Sequence, residues 1–155
     1  MITPEHNKLN IGCGFKKLDD HWNVDSQSSC NPDQIVDLEV TPWPWENDFF
    51  ERIHADNILE HLGQSPKLFT EIIKEMYRVS KDGAEWFINV PHFRSDLFWD
   101  DYTHVRPITA KTLKLFDQEY NVYCIEKHFS DSTFGLYHNI DIEIVELVQI
   151  GRAHV

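Results

Sequence analysis

Leu9-Asn10-Ile11-Gly12-Cys13-Gly14, Asn23-Val24-Asp25 and Ile35-Val36-Asp37-Leu38 are three short apolar runs in close succession. The first ends in glycines and the other two in aspartates. Runs of this length bounded by turn residues read as buried parallel strands, with their punctuating residues gathered at the carboxyl edge of the sheet. Glycine lets a ligand approach the backbone closely, and a carboxylate accepts hydrogen bonds from ribose hydroxyls. The combination points to an adenosine-containing ligand.

Working outward, strands are expected near Lys8 to Gly12, Trp22 to Asp25, Ile35 to Asp37, Arg52 to Ala55 and Glu85 to Val90. Between the last two, Ser65-Pro66 is a cap followed by a first-turn proline. Leu68, Phe69, Ile72, Ile73, Met76, Tyr77 and Val79 recur at helical spacing, and Gly83 reads as the terminator. A second helix is expected from about Thr109, carrying Leu113, Leu115 and Phe116. Val122 to Lys127 reads as a strand, as does the alternating segment Ile140 to Ile150. Strands alternating with helices imply a mainly parallel sheet covered by helices. Only Phe15 to His21 lie between Gly14 and Trp22, fewer than the dozen or so residues a parallel crossover usually needs, so the first helix is absent or cut to about a turn.

The segments LNIGCG (9 to 14), NVD (23 to 25), VDLEVTPWPWEND (36 to 48), HADNILEHLG (54 to 63), EMYRVSKDGAEWFINVP (75 to 91) and DDYTHVRPIT (100 to 109) stand in one order. In that order they resemble the class I S-adenosylmethionine-dependent methyltransferases, and within them a small, type-11-like, glycan-associated subset. The resemblance implies an α/β fold: a single Rossmann-like domain over residues 1–155 with a mainly parallel seven-stranded sheet. The last two strands would be a C-terminal antiparallel pair, and the first crossover is shortened. It also implies S-adenosyl-L-methionine as cofactor and an enzyme transferring a methyl group to an oxygen or nitrogen of a small molecule, with a saccharide as the preferred acceptor. Lys16 stands where the family's glycine-rich loop usually ends in glycine, which puts the usual hold on the methionine end of the cofactor in question.

The cofactor-binding candidates are Asn10, Gly12, Cys13, Gly14, Asp25, Asp37, Leu38, Asp56 and Asn57. Gly12 and Gly14 make the turn beneath the ligand, unless the turn is an ordinary one. Asp25 accepts from the ribose. Asp37 and Leu38 take the adenine position, although an aspartate there also suits a turn or helix cap. Trp43 and Trp45 either wall that pocket or anchor their loop. Asp56 and Asn57 follow strand four beside the expected sulfonium. His92, His104 and His61 are the general-base candidates, because imidazole titrates near neutrality. His61 and Glu60 fit a loop-bracing network equally well.

Pro91 to Pro107 is a long aromatic connection that reads as a packed lid. It resembles the subset's Asp-Pro-Thr-His loop with Tyr102 in place of the proline, and Phe98, Trp99 and Tyr102 suit either sugar stacking or lid packing. Arg94 and Arg106 would grip a carboxylate or phosphate, or else are solvated loop charges. His92, Asp96, Asp100, Asp101 and His104 match no tight ligand motif, so no metal site is expected.

Composition sets the remaining bounds. A chain of 155 residues, 41% hydrophobic, can bury one core. No apolar run approaches the roughly 20 residues of a membrane span, and the polar start lacks a signal peptide's core, so a cytoplasmic protein is expected. Cys13, Cys30 and Cys124 suggest neither a disulfide framework nor a zinc motif. A net charge of -12 disfavours nucleic acid as a partner. Two rival readings stand beside the enzyme: a cofactor-binding but catalytically silent module that needs a partner, and a degenerate structural domain.

Overall fold

The structure, a computed structural model, describes residues 4–148. These form two compact units, residues 4–91 with 102–106 and residues 92–101 with 107–148.

The first unit is built on five parallel strands: β1 Lys8–Ile11, β2 Trp22–Asp25, β3 Gln34–Ile35, β4 Phe50–Asp56 and β5 Ser80–Asn89. Their order is β3-β2-β1-β4-β5. The chain steps outward from β1 in one direction, then returns to add β4 and β5 on the other side. That reversal makes the β1/β4 boundary the topological switch point, where open α/β sheets bind ligands at their carboxyl edge. Ile11 is in register with both Val24 and Ala55, so Gly12, Asp25 and Asp56 are the next residues on three adjacent strands. The central strands carry the core: Leu9, Ile11, Val24, Phe50 and Ile53 have no exposed surface, while Ile35 and Phe87 on the edge strands are exposed.

Helix α1, Pro66–Val79, begins where the sequence places it. The Ser65 hydroxyl accepts from the Leu68 N–H at 3.2 Å. Phe69, Ile72, Ile73, Met76 and Val79 form its buried stripe. Ser65→Ala is expected to cost about 1 kcal/mol and lower the melting temperature by about 2–4 °C in a calorimetric scan. No helix forms between Gly14 and Trp22, in keeping with the short crossover. Gly83 does not end α1: the chain turns extended at Ser80, whose hydroxyl donates to the Met76 carbonyl at 2.7 Å. Gly83 instead lies inside β5 at φ +73°, within the register shift that separates the Ser80 pairing from the Glu85 pairing. β3 begins one residue and ends two residues earlier than expected, although the Val36 N–H still donates to the Asp25 carbonyl at 2.9 Å.

The second unit is helical: α2 Asp96–Trp99, α3 Ala110–Lys114, α4 Gln118–Glu126 and α5 Phe134–His138. A capping box between Thr109 and Thr112 starts α3 as anticipated. The expected strand over Val122 to Lys127 is corrected to α4. Asp117 caps it by accepting from the Tyr120 N–H at 2.8 Å. Asn121 and Cys124 form its buried face, while Val122, Tyr123 and Ile125 are exposed. Among the described residues, 140–148 has no ladder partner and no regular structure, and the last residues of the expected Ile140 to Ile150 strand lie outside the described residues. The sheet therefore has five strands among the described residues, not seven, and the antiparallel pair is not formed there.

Candidate functional site

At the carboxyl edge of β1 the chain turns through Gly12 (φ +61°) and Gly14 (φ +50°), conformations that L side chains rarely adopt. The two glycines differ in purpose. A Cβ on Gly12 would lie 2.4 Å from Ile58 Cγ1, so this glycine makes room for the segment after β4. A Cβ on Gly14 would meet nothing within 4 Å, so its bare backbone faces open space. Asp25, at the end of β2, accepts the Gly14 N–H at 2.8 Å on one carboxylate oxygen and the Gln27 N–H at 2.8 Å on the other. These bonds hold the carboxylate beside the glycine turn. Each oxygen keeps capacity for a further donor.

Asn10 and Cys13 support the turn from below. Asn10 is buried and donates to the Lys16 carbonyl at 3.1 Å and the Asn23 side chain at 2.9 Å. The Cys13 N–H donates to the Val24 carbonyl at 3.0 Å. Burial, followed by the neighbouring Asp25 charge, raises the Cys13 thiol to about 11, so at neutral pH it is protonated and a poor nucleophile.

Across the switch point, Asp56 accepts from Asn89 Nδ2 at 2.7 Å, Asn57 Nδ2 at 2.9 Å and Lys16 Nζ at 3.2 Å. The Asn89 bond foremost, and then the Lys16 ammonium, outweigh partial burial and hold its carboxyl below the usual carboxylate range. Asn57 takes the left-handed conformation (φ +52°) and donates its N–H to the Asn89 carbonyl at 2.8 Å. Lys16 thereby ties the loop leaving β1 to the end of β4. Asn89 was not among the sequence candidates; its signal was the polar residue closing a strand, as in β2 and β4.

Asp37 is exposed and accepts the Glu39 N–H at 2.9 Å, which is the capping geometry, while Leu38 is buried. Trp43 and Trp45 are core residues: their rings meet edge to face at 5.7 Å, and the Trp43 indole donates to the Leu38 carbonyl at 3.0 Å. They anchor the loop.

The segment after Asn57 makes a 3-10 turn, Leu59–His61. Residues 102–106 pack against it. The Val105 N–H donates to the Glu60 carbonyl at 2.8 Å, His61 Nδ1 lies 2.9 Å from Thr103 Oγ1, and the His61 and His104 rings meet at 4.5 Å. Arg106 is no solvated loop charge: its guanidinium lies 4.5 Å over the Phe69 ring and donates to the Gly63 carbonyl. Glu60, His61 and His104 offer ligand atoms within 4.8 Å of one another, a grouping the sequence did not disclose.

The connection from 91 to 107 divides between the units. In the second, Ser95 caps α2, Phe98 is buried, and the His92 ring stacks on Phe93 at 4.5 Å while its Nδ1 accepts the Arg94 N–H at 3.2 Å. Trp99 and Tyr102 are 71% and 96% exposed, although the Trp99 ring meets Phe98 edge to face at 5.0 Å and its indole donates to the Phe93 carbonyl at 3.1 Å.

A cavity of about 430 Å³ opens at the amino ends of the strands, lined by residues including Lys17, His21, Asn23 and Asp33. It contains none of the glycine turn. The carboxyl edge remains the candidate site, because only there do the switch point, the open backbone of Gly14 and the convergent polar groups coincide.

No family model matches the sequence, and no curated protein matches it. The fold is similar to that of a solved structure, a SAM dependent methyltransferase from Archaeoglobus fulgidus, with a TM-score of 0.59 and 20% identity. The match covers 79% of this chain and 59% of that one, so the chain spans somewhat over half the length of its structural neighbour. The likeness establishes a Rossmann-like α/β fold shared with a methyltransferase. Among the described residues no helix is long and apolar enough to cross a membrane.

Proposed function

We propose that this protein is an S-adenosylmethionine-dependent methyltransferase acting on an oxygen or nitrogen of a small molecule. The observation that carries the reading is the Asp25 carboxylate fixed on the Gly14 N–H at the end of β2, facing the open side of a glycine turn. The residues fit the cofactor. Asp25 would accept from both ribose hydroxyls, and Gly14 and the backbone of Cys13 would lie under the ligand. Asp37 and Leu38 would border the adenine. The methionine end is a zwitterion, and Lys16 and Asp56 present one charge of each sign for it, with Asn57 and Asn89 holding Asp56 in place. When bound, the cofactor supplies an electrophilic methyl group on sulfur. This chain's contribution is alignment of acceptor and methyl group, which alone can be worth several kcal/mol of barrier. The buried, protonated Cys13 offers no competing nucleophile beside the turn. His61, His104 and His92 are the groups proposed to take the acceptor's proton.

A saccharide or sugar-linked metabolite is the proposed acceptor class, supported by the resemblance and by the solvent exposure of the Trp99 and Tyr102 rings. The acidic net charge argues against nucleic acid. A cytoplasmic location is proposed on the sequence alone.

Calorimetric titration tests the reading. Saturable binding of S-adenosylmethionine and S-adenosylhomocysteine is expected, with ATP and NAD giving none, followed by methyl transfer to a sugar acceptor. No heat at millimolar ligand with a folded sample would overturn it. Binding without transfer to any acceptor would instead favour a module completed by a partner.

A further inference from the structure

We propose that Glu60, His61 and His104 form a binding site for one divalent first-row transition ion, of which zinc is the redox-silent representative. One ligand atom from each residue lies within 4.8 Å of the other two. Small side-chain rotations close that spacing to the roughly 3.4 Å that separates two donors of a tetrahedral ion with bonds of about 2.0–2.2 Å. Two imidazoles and one carboxylate are a donor set suited to zinc or iron(II), whereas magnesium and calcium call for oxygen donors throughout.

The surroundings are those of a held site. Glu60 is fully buried, while His61 and His104 are half-buried, so the group is closed on the carboxylate side and open on the imidazole side. The 3-10 turn fixes Glu60 and His61, and the Val105 N–H on the Glu60 carbonyl fixes the segment that brings His104. Arg106, stacked on Phe69, pins the end of that segment. His61 Nδ1 lies 2.9 Å from Thr103 Oγ1, and a proton donated there leaves the ring's lone pair on Nε2, the hydrogen-bonded arrangement that orients metal-binding histidines. Three protein ligands leave at least one coordination position for an oxygen donor such as a hydroxyl or carboxylate. The position is apt for an acceptor: Ile58, two residues before Glu60, packs on Gly12 of the glycine turn.

The test reads metal binding and is independent of methyl transfer. The full chain, stripped with a chelator, is titrated with cobalt(II). The expected result is a visible absorption band that saturates at one equivalent and is bleached by zinc. His104→Ala and the isosteric Glu60→Gln should each weaken the ion by more than the roughly 10–100-fold that loss of an outer-shell partner costs. His128→Asn, removing an exposed imidazole of the second unit, should leave it unchanged. A featureless cobalt titration of the folded parent would overturn the proposal, as would equal binding by folded His104→Ala or Glu60→Gln. If neither variant folds, the one-equivalent band of the parent decides.

Discussion

Replacing Asp25 by alanine is expected to weaken S-adenosylmethionine binding by at least about 100-fold in calorimetry, with the fold retained. The expectation follows from what the carboxylate does in the free protein. Its two oxygens are already positioned by the Gly14 and Gln27 N–H groups at 2.8 Å each, so no ordering remains to be done when a ribose arrives. Two hydrogen bonds to a charged acceptor are worth about 1.5–3 kcal/mol apiece, and a combined loss of about 3–6 kcal/mol corresponds to about 10²–10⁴ in affinity. Asp25→Asn keeps the shape and one acceptor, and should fall between the parent and alanine. Unchanged affinity in a folded Asp25→Ala protein would remove the ribose from this position and with it the present assignment of the site. Gly12→Trp is a poor companion test, since the Ile58 side chain already fills the space a Cβ would take, and the variant would perturb packing before it touched a ligand.

What the sequence disclosed is what is encoded locally. Short apolar runs mark the buried strands, and the residues that punctuate them, Gly12, Gly14, Asp25 and Asp56, fall at the carboxyl edge because parallel strands share a direction. Ser65-Pro66 announces α1 through the hydrogen bond its own hydroxyl makes. The misread segments are those decided by distant partners. Val122, Tyr123 and Ile125 favour a strand by propensity, yet the segment is helical under the Asp117 cap and through Asn121, which donates to the Leu115 carbonyl and accepts the Leu136 N–H. Gly83 looks like a helix stop until Ser80 is seen to leave the helix earlier. The Glu60-His61-His104 group was hidden for the same reason. His61 and Thr103 are 42 residues apart in the chain, and no local periodicity predicts that they meet. Lys16 was visible only as a departure from a pattern; its ion pair with Asp56 turns that departure into a cross-link at the switch point.

Arg78→Ala should destabilise the protein by about 3 kcal/mol, a fall of about 6–12 °C in melting temperature, because Arg78 stitches an irregular loop to α1. Its guanidinium donates to both Glu75 oxygens at 2.8 and 2.6 Å, to the Trp43 and Trp45 carbonyls at 3.1 and 2.8 Å, and to the Asn47 side chain at 2.8 Å. Glu75 also accepts the Trp43 N–H at 2.6 Å. Truncation would leave a buried carboxylate without its counter-ion and two carbonyls without donors, beneath the paired Trp43 and Trp45 rings. Burial raises the Glu75 carboxyl, but Arg78 and then the Trp43 N–H more than offset it and hold it below its ordinary value of 4.5. A carboxyl depressed in this way stabilises the folded state fully above that ordinary value, and the contribution is lost as pH falls through the folded value. The gap between parent and Arg78→Ala in urea unfolding should therefore be widest at neutral pH and narrow as acid protonates Glu75. Lys74→Ala supplies the contrast: its ion pair with Glu71 at 2.9 Å on the same helix is more open to solvent than the Arg78–Glu75 pair and, among the described residues, has no further partners tying it to the loop, and its loss should cost less than about 0.5 kcal/mol. Equal stability losses for the two variants, or a gap that does not change with pH, would mean that the loop is held by its tryptophans alone and that the ion pair is incidental to the fold.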